Sequence, residues 1–114
     1  MRITKFEEII AWQKGEELSA LIYKKFSVHR DFGFRDQIQR ASVSIMSNIA
    51  EGFERGSNPD FKKFLFISKG SCGEVRSLLY IAKDLKYISD TEFKNWYDIT
   101  MQIGRLLSAF IKTL

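Results

Sequence analysis

Apolar residues recur along nearly the whole chain at intervals of three and four, the spacing of one face of an α-helix. The sequence contains no strand-like alternation of useful length. Four periodic segments predict helices over about residues 7–26, 34–54, 59–86 and 90–113. Four long helices with short connections predict an all-α fold, an antiparallel up-down-up-down four-helix bundle in one domain over residues 1–114.

The connection between the second and third helices carries a clear local signal. Gly52 and Gly56 bracket the predicted end of the second helix, where a positive φ costs glycine little. Asn58 is a favourable N-cap, and Pro59 suits the first helical turn because the amide hydrogen it lacks would be unpaired there. We therefore expect a tight corner over Arg55–Asn58.

Composition limits the class of protein. With 45% hydrophobic and 28% charged residues and one proline, the chain is typical of a folded domain and not of a disordered linker. Cys72 is the single cysteine, so no internal disulfide can form and a reducing compartment is favoured. Apolar runs such as Phe64–Ile67 are far shorter than the roughly 20 residues that a bilayer-spanning helix needs. Because the first residues also lack a signal-peptide core, we expect a cytoplasmic protein without membrane contact.

Three blocks of this sequence resemble a known family. They are Trp12-Gln13, the block Asp36–Arg55 with its run Asn-Ile-Ala-Glu-Gly, and the block Phe61–Val75 with its run Gly-Ser-Cys-Gly-Glu. The chain is similar to the small bacterial four helix bundle proteins encoded in the intervening sequences of large-subunit ribosomal RNA genes. These resemble the accessory variability protein of diversity-generating retroelements.

The resemblance covers nearly the whole chain and implies more than the fold. It implies assembly into a ring, typically a homopentamer, and no enzymatic activity. The retroelement relatives bind nucleic acid and a reverse transcriptase, so the resemblance makes a nucleic-acid or nucleoprotein role the leading expectation.

Five basic residues at seven-residue intervals form the first candidate binding surface. We call this set the basic ridge: Arg55, Lys62, Lys69, Arg76 and Lys83. A seven-residue step returns to nearly the same helix face, with a drift of about 20°. Residues 55–87 hold seven basic and three acidic side chains, and the whole chain has a net charge of +4, so the excess is concentrated here. We predict that the ridge binds RNA or DNA phosphates; a solvated face and a dock for an acidic protein are the alternatives.

Seven polar residues of the second and third helices form the second candidate set. They are Gln37, Arg40, Ser44, Asn48, Glu51, Ser71 and Glu74. We interpret them as a structural hydrogen-bond network that fixes helix register, with Arg40 paired to Glu51 or Glu74. The functional alternative is an acid–base or ligand site, but no nucleophile or histidine accompanies these residues.

The sequence gives little support for a catalytic site or a metal site. Di-iron bundles use two Glu-x-x-His motifs, whereas Phe26 stands three residues before His29, the single histidine. Cys72 has no cysteine or histidine neighbour at ligand spacing. His29 also lacks an arginine at the spacing that some small helical nucleases use. We predict no catalytic residue, no metal, no cofactor and no small-molecule substrate.

Seven aromatic residues form a further candidate set, and several of them fall outside the predicted core stripes. The set is Trp12, Tyr23, Phe32, Phe66, Tyr80, Tyr87 and Trp96. We favour burial in a subunit interface, although Phe66 and Tyr80 lie near the basic ridge and stacking on bases is an alternative.

The combined interpretation is a non-enzymatic, oligomeric four-helix bundle that binds nucleic acid through the basic ridge. Two alternatives stay open. One is an adapter that binds an acidic protein partner such as a polymerase or reverse transcriptase, and the other is a structural oligomer.

Overall fold

Four α-helices follow a short 3-10 turn in the computed structural model, which describes residues 2–114; Met1 of the predicted domain lies outside it. The turn is Phe6–Glu8, and the helices are α1 (Ile10–Phe26), α2 (Phe32–Glu54), α3 (Asn58–Asp84) and α4 (Asp90–Lys112). Consecutive helices pack on each other and α4 closes against α1. The predicted all-α four-helix bundle is therefore confirmed. None of the helices in residues 2–114 is long and apolar enough to cross a lipid bilayer.

The core is a single cluster of aliphatic and aromatic side chains from all four helices. Its fully buried members include Leu18, Phe26, Ile38, Ile45, Leu65, Leu79, Ile103 and Leu107. Two leucines that the apolar spacing predicts to be buried are exposed instead, Leu21 at 36% and Leu85 at 53%. Leu85 follows the last residue of α3, so the helical period no longer directs it inward. Trp96, which the stripes missed, is buried.

Helix starts differ slightly from their predicted positions. The first helix begins later than predicted because Phe6–Glu8 forms a separate 3-10 turn. The N-cap of α3 is Ser57 and not Asn58, since the Ser57 hydroxyl accepts the hydrogen bond of the Asp60 amide. The corner itself is where the sequence predicted it.

Two residues in the left-handed region end α2 and α3. Gly56, with φ of +83°, ends α2 as its sequence position predicted. Lys86, with φ of +60°, ends α3 before the predicted boundary. The Tyr87 amide donates to the Ala82 carbonyl over 2.8 Å, which closes the turn after α3.

Asp31 joins two loops that are distant in sequence. One of its carboxylate oxygens accepts the Phe34 amide over 3.2 Å, so that α2 starts earlier than predicted. The other accepts the Tyr87 hydroxyl over 2.7 Å. These hydrogen bonds, that of Tyr87 foremost, hold the pKa of Asp31 below its usual range. The imidazole of His29 packs edge-on against Tyr87 at 4.3 Å between ring centroids and accepts the Asp31 amide through Nδ1.

The seam between α2 and α3 is closed by small residues. Gly52 is buried inside α2, where a Cβ atom would lie 2.6 Å from the Cβ of Phe64. Its predicted role at a positive φ is therefore wrong, and close helix packing is the reason for glycine here. Further along the same seam, the buried Ser68 hydroxyl donates to the Ile45 carbonyl over 2.7 Å.

Candidate functional site

The first two members of the basic ridge, Arg55 and Lys62, differ in how far their charges are neutralised. Arg55 is the C-cap of α2 and so precedes α3. Its guanidinium donates to the Glu51 carboxylate over 3.3 Å and lies 4.9 Å from the centre of the Phe64 ring. Lys62 extends from α3 into solvent. Arg55 is therefore partly neutralised, whereas Lys62 remains an exposed charge.

The two central members of the ridge border a groove between α3 and α4. Lys69 and Arg76 lie on the α3 side, and Arg105 and Lys112 lie on the α4 side. We call this site the basic groove; it encloses about 550 Å³. The other lining residues are Cys72, Met101, Gly104, Ser108 and Ala109. Within residues 2–114, four cations and no carboxylate line it.

The sequence pattern explains why these cations converge. Arg105 and Lys112 are seven residues apart on α4, as Lys69 and Arg76 are on α3, so each pair shares one helix face. Gly104 directly precedes Arg105 in the lining of the groove, and no atom beyond its own helical turn lies within 4 Å of the place where its Cβ would be. Small side chains on α4 thus leave open the space that larger ones would fill. Arg105 and Lys112 were not among the predicted site residues, although their heptad spacing matches that of the ridge.

Cys72 forms the floor of the basic groove and is only 1% exposed. Its thiol donates to the Thr100 carbonyl over 3.2 Å. Burial raises the pKa of Cys72 to about 11, and the nearby charge of Arg76 opposes the rise. The sulfur is therefore protonated at neutral pH and supplies no nucleophile.

A cluster of three rings lies next to Arg76 toward the α3–α4 loop. We call Tyr80, Phe93 and Tyr97 the aromatic platform. The Tyr80 centroid is 5.1 Å from that of Phe93 and 6.0 Å from that of Tyr97. The ammonium of Lys83, the last ridge residue, lies 4.5 Å from the centre of the Phe93 ring. The phenol of Tyr97 raises the pKa of Tyr80, and Arg76 is close enough to oppose this rise.

Three members of the polar set meet between α2 and α3. The hydroxyls of Ser44 and Ser71 are 2.8 Å apart and share a hydrogen bond across the two helices. The Asn48 amide donates to the Ser44 hydroxyl over 2.9 Å and to the Ser44 carbonyl over 2.8 Å. This half-buried group links the two helices in one register.

The remaining members of the polar set lie farther along their helices. Gln37, Arg40 and Glu74 are exposed, and none of them has a side-chain hydrogen bond or ion pair within residues 2–114. Glu51 pairs with Arg55 four residues later, and not with Arg40. Glu51 and Arg55 are one helical turn apart on the same face, whereas Arg40 lies three turns, or about 16 Å of helix rise, before Glu51 and cannot reach it.

Metal-binding side chains do not converge in residues 2–114, where no group of three or more His, Cys, Asp and Glu residues is placed to share an ion. His29 is held in the α1–α2 loop by Asp31 and Tyr87. It is therefore part of the loop junction and not part of the basic groove.

A family description matches most of the sequence. The profile described as "23S rRNA-intervening sequence protein" matches residues 7–109. The chain belongs to the 23S rRNA-intervening sequence protein family. This confirms the resemblance inferred from the Asn48–Gly52 and Gly70–Glu74 blocks. Of the four cations that line the basic groove, Lys69, Arg76 and Arg105 lie within the matched region, and Lys112 lies outside it.

A solved structure supports the same family relationship for this chain. It is a Bacteroides thetaiotaomicron protein from the S23 ribosomal protein family, described as having unknown function. It is 27% identical, with a TM-score of 0.84 over 90% of this chain and 96% of that one. A comparison with curated proteins gives no significant match. Neither the family description nor the structural neighbour carries an enzymatic assignment.

Proposed function

We propose that this protein is a non-enzymatic, oligomeric, cytoplasmic bundle that binds nucleic acid through the basic groove. The observation that carries the proposal is the charge of the groove, with four cations and no carboxylate along its described lining. The proposal moves the centre of the predicted ridge to Lys69 and Arg76 and adds Arg105 and Lys112. Lys62, Lys83 and Arg55 extend the same field along and beyond α3.

The spacing of the cations suits a sugar–phosphate backbone. Seven residues of α-helix advance by about 10 Å, so Lys69 and Arg76 can neutralise separate phosphates of one strand. Arg105 and Lys112 offer the same spacing on the opposite wall. Each neutralised phosphate releases condensed counterions, so affinity from such contacts falls steeply with salt.

Self-association is the second part of the proposal. Phe66, Ile67 and Ile81 are each about half exposed on α3, and exposed apolar groups of this size favour burial against another subunit. A ring of five copies, which the family resemblance implies, would repeat the basic groove on every subunit. The positive potential of the repeated grooves would then add.

The experiment compares two variants with the same net charge. In the groove variant, Lys69, Arg76, Arg105 and Lys112 become glutamine. In the control variant, four exposed cations outside the groove, Lys5, Lys24, Arg30 and Arg40, become glutamine. Both lower the formal charge of +4 equally. Labelled structured RNA, single strands and duplex DNA are titrated at about 50 and 200 mM salt, with helicity and oligomer mass measured in parallel.

We expect tight binding by the wild type and the control, with a slope of log K against log salt of about −3 on a single strand. The groove variant should lose at least about a hundredfold in affinity and most of that slope. Equal weakening in both variants would show that binding depends only on the net charge of the protein, and it would overturn the groove assignment. Absence of binding by the wild type would overturn the proposed function and favour an acidic protein partner or a purely structural oligomer.

A further inference from the structure

Tyr80 offers a partly exposed aromatic ring beside the basic groove. Its side chain is 46% exposed, although two neighbouring rings fix its position. Phe93 and Tyr97 meet the Tyr80 ring edge-on, at interplanar angles of 64° and 84°. A ring held in this way can bind a flat partner with little further loss of side-chain freedom.

We propose that the aromatic platform stacks an unpaired base of the strand whose phosphates lie in the basic groove, which makes single-stranded nucleic acid the preferred ligand. This inference rests on the proposed function. It goes further, because it assigns the platform a role and distinguishes single strands from duplexes.

The chemistry of the two neighbouring sites is complementary. The lining of the basic groove contains no aromatic residue in the described chain, so the groove can hold phosphates but cannot stack bases. Arg76 borders the groove and also acts on the Tyr80 hydroxyl, so it connects the groove to the platform. Proteins that bind single strands combine a positive channel with aromatic side chains in this way. In a duplex the base faces are already stacked, so Tyr80 would find no free partner.

The charges around the rings argue against self-association through this face. Lys83 lies over the Phe93 ring at 4.5 Å and within 5.5 Å of the Tyr80 centroid. Arg76 lies one helical turn before Tyr80 on α3. Two copies that met symmetrically here would bring like charges together, whereas a nucleotide would place its phosphate among them.

The test uses two full-length variants at Tyr80 and one matched control variant. Tyr80→Ala removes the ring, and Tyr80→Phe keeps the ring but removes the hydroxyl. Tyr23→Ala is the control, because Tyr23 is 43% exposed on α1, away from the groove. The probes are a labelled RNA dodecamer without secondary structure, the DNA strand of the same sequence, and the duplex form of each. A 2-aminopurine base in the single strands reports stacking through quenching of its fluorescence.

We expect the wild type to bind both single strands at least about tenfold more tightly than the duplexes. Tyr80→Ala should lose about fivefold to a hundredfold in single-strand affinity and should abolish the quenching. Tyr80→Phe and Tyr23→Ala should retain both, and duplex binding should change little in all three variants. Circular dichroism and sedimentation verify that each variant keeps its helicity and its oligomer mass.

Two results would overturn the inference while leaving the proposed function intact. One is equal affinity for single strands and duplexes with no effect of Tyr80→Ala. The other is a change of oligomer mass in Tyr80→Ala, which would make the platform a subunit interface. Failure of the wild type to bind any of the four probes would instead remove the proposed function itself.

Discussion

The two sides of α3 pack in opposite ways. Toward α2, Gly52 brings the helices so close that an added Cβ would lie 2.6 Å from the Cβ of Phe64. Toward α4, Gly104 faces open space, with no atom within 4 Å of an added Cβ. The same residue type thus closes one seam and leaves the other as a groove.

This contrast shows how one small residue can serve packing or binding. The α2–α3 seam uses its close approach to bury hydroxyls such as that of Ser68, which donates to the Ile45 carbonyl. The α3–α4 seam has cations along its edges, where close approach would force like charges together. An open groove avoids that repulsion and leaves room for an anionic ligand.

The largest expected effect concerns the thiol at the floor of the open seam. Since the pKa of Cys72 is about 11 instead of its ordinary 9.0, alkylation of the folded protein by iodoacetamide at pH 8 should be at least about a hundredfold slower than in urea. Because the folded protein holds the thiol proton more tightly than the unfolded chain, the thiol contributes to stability. This contribution is fully present below pH 9 and is lost as the pH rises through 11. Mass spectrometry of the alkylated fraction over time measures the rate.

Rapid alkylation of the folded protein would contradict this picture, because it would mean that the groove opens down to its floor. Cys72→Ala serves as the control for reaction at other sites. The same variant should also lack the part of the stability change between pH 9 and 11 that the thiol causes.

The closed seam should be intolerant of even one added methyl group. We expect Gly52→Ala to lower the free energy of unfolding by about 2 kcal/mol, because Phe61 and Phe64 would have to move away. Urea denaturation followed by circular dichroism, at a fixed protein concentration, measures this change. An unaltered midpoint would show that the seam can widen without cost.

The open seam should respond to the same substitution with the opposite sign. Gly104→Ala should raise the free energy of unfolding by about 1 kcal/mol, since alanine favours the helix and meets no neighbour. Nucleic-acid affinity should be retained, because the four cations stay in place. If Gly104→Ala destabilises the protein, the groove is narrower than the structure indicates. Differential scanning calorimetry beside the Gly52→Ala variant gives the comparison directly.

The period of the apolar residues was sufficient to predict the four helices and most of the core. Ile38, Ile45 and Ile49 repeat at helical spacing and are all fully buried. Local chemistry was less decisive at helix ends, because Ser57 and Asn58 are adjacent and both can cap a helix. Gly52 could not be assigned its packing role, since glycine has the same sequence signal in a turn and at a close helix contact.

The candidate site depends on which helices are neighbours, and this explains why only half of it was predicted. Lys69 and Arg76 share a helix, so their common face follows from spacing alone. Arg105 joins them only because α4 packs beside α3. Likewise, Tyr80 could be recognised as aromatic and near the ridge, but its contacts with Phe93 and Tyr97 needed the tertiary fold.

The carboxylate of Asp31 also has a consequence for motion. Because it holds the first turn of α2 and the hydroxyl of Tyr87 together, neither loop can detach without giving up an anchor of the other. The two loops should therefore open as one cooperative unit in amide hydrogen exchange. Tyr87 lies three residues after the end of α3, the helix that carries Tyr80, so a base stacked on Tyr80 would slow exchange in the α1–α2 loop, about fifty residues earlier in the chain.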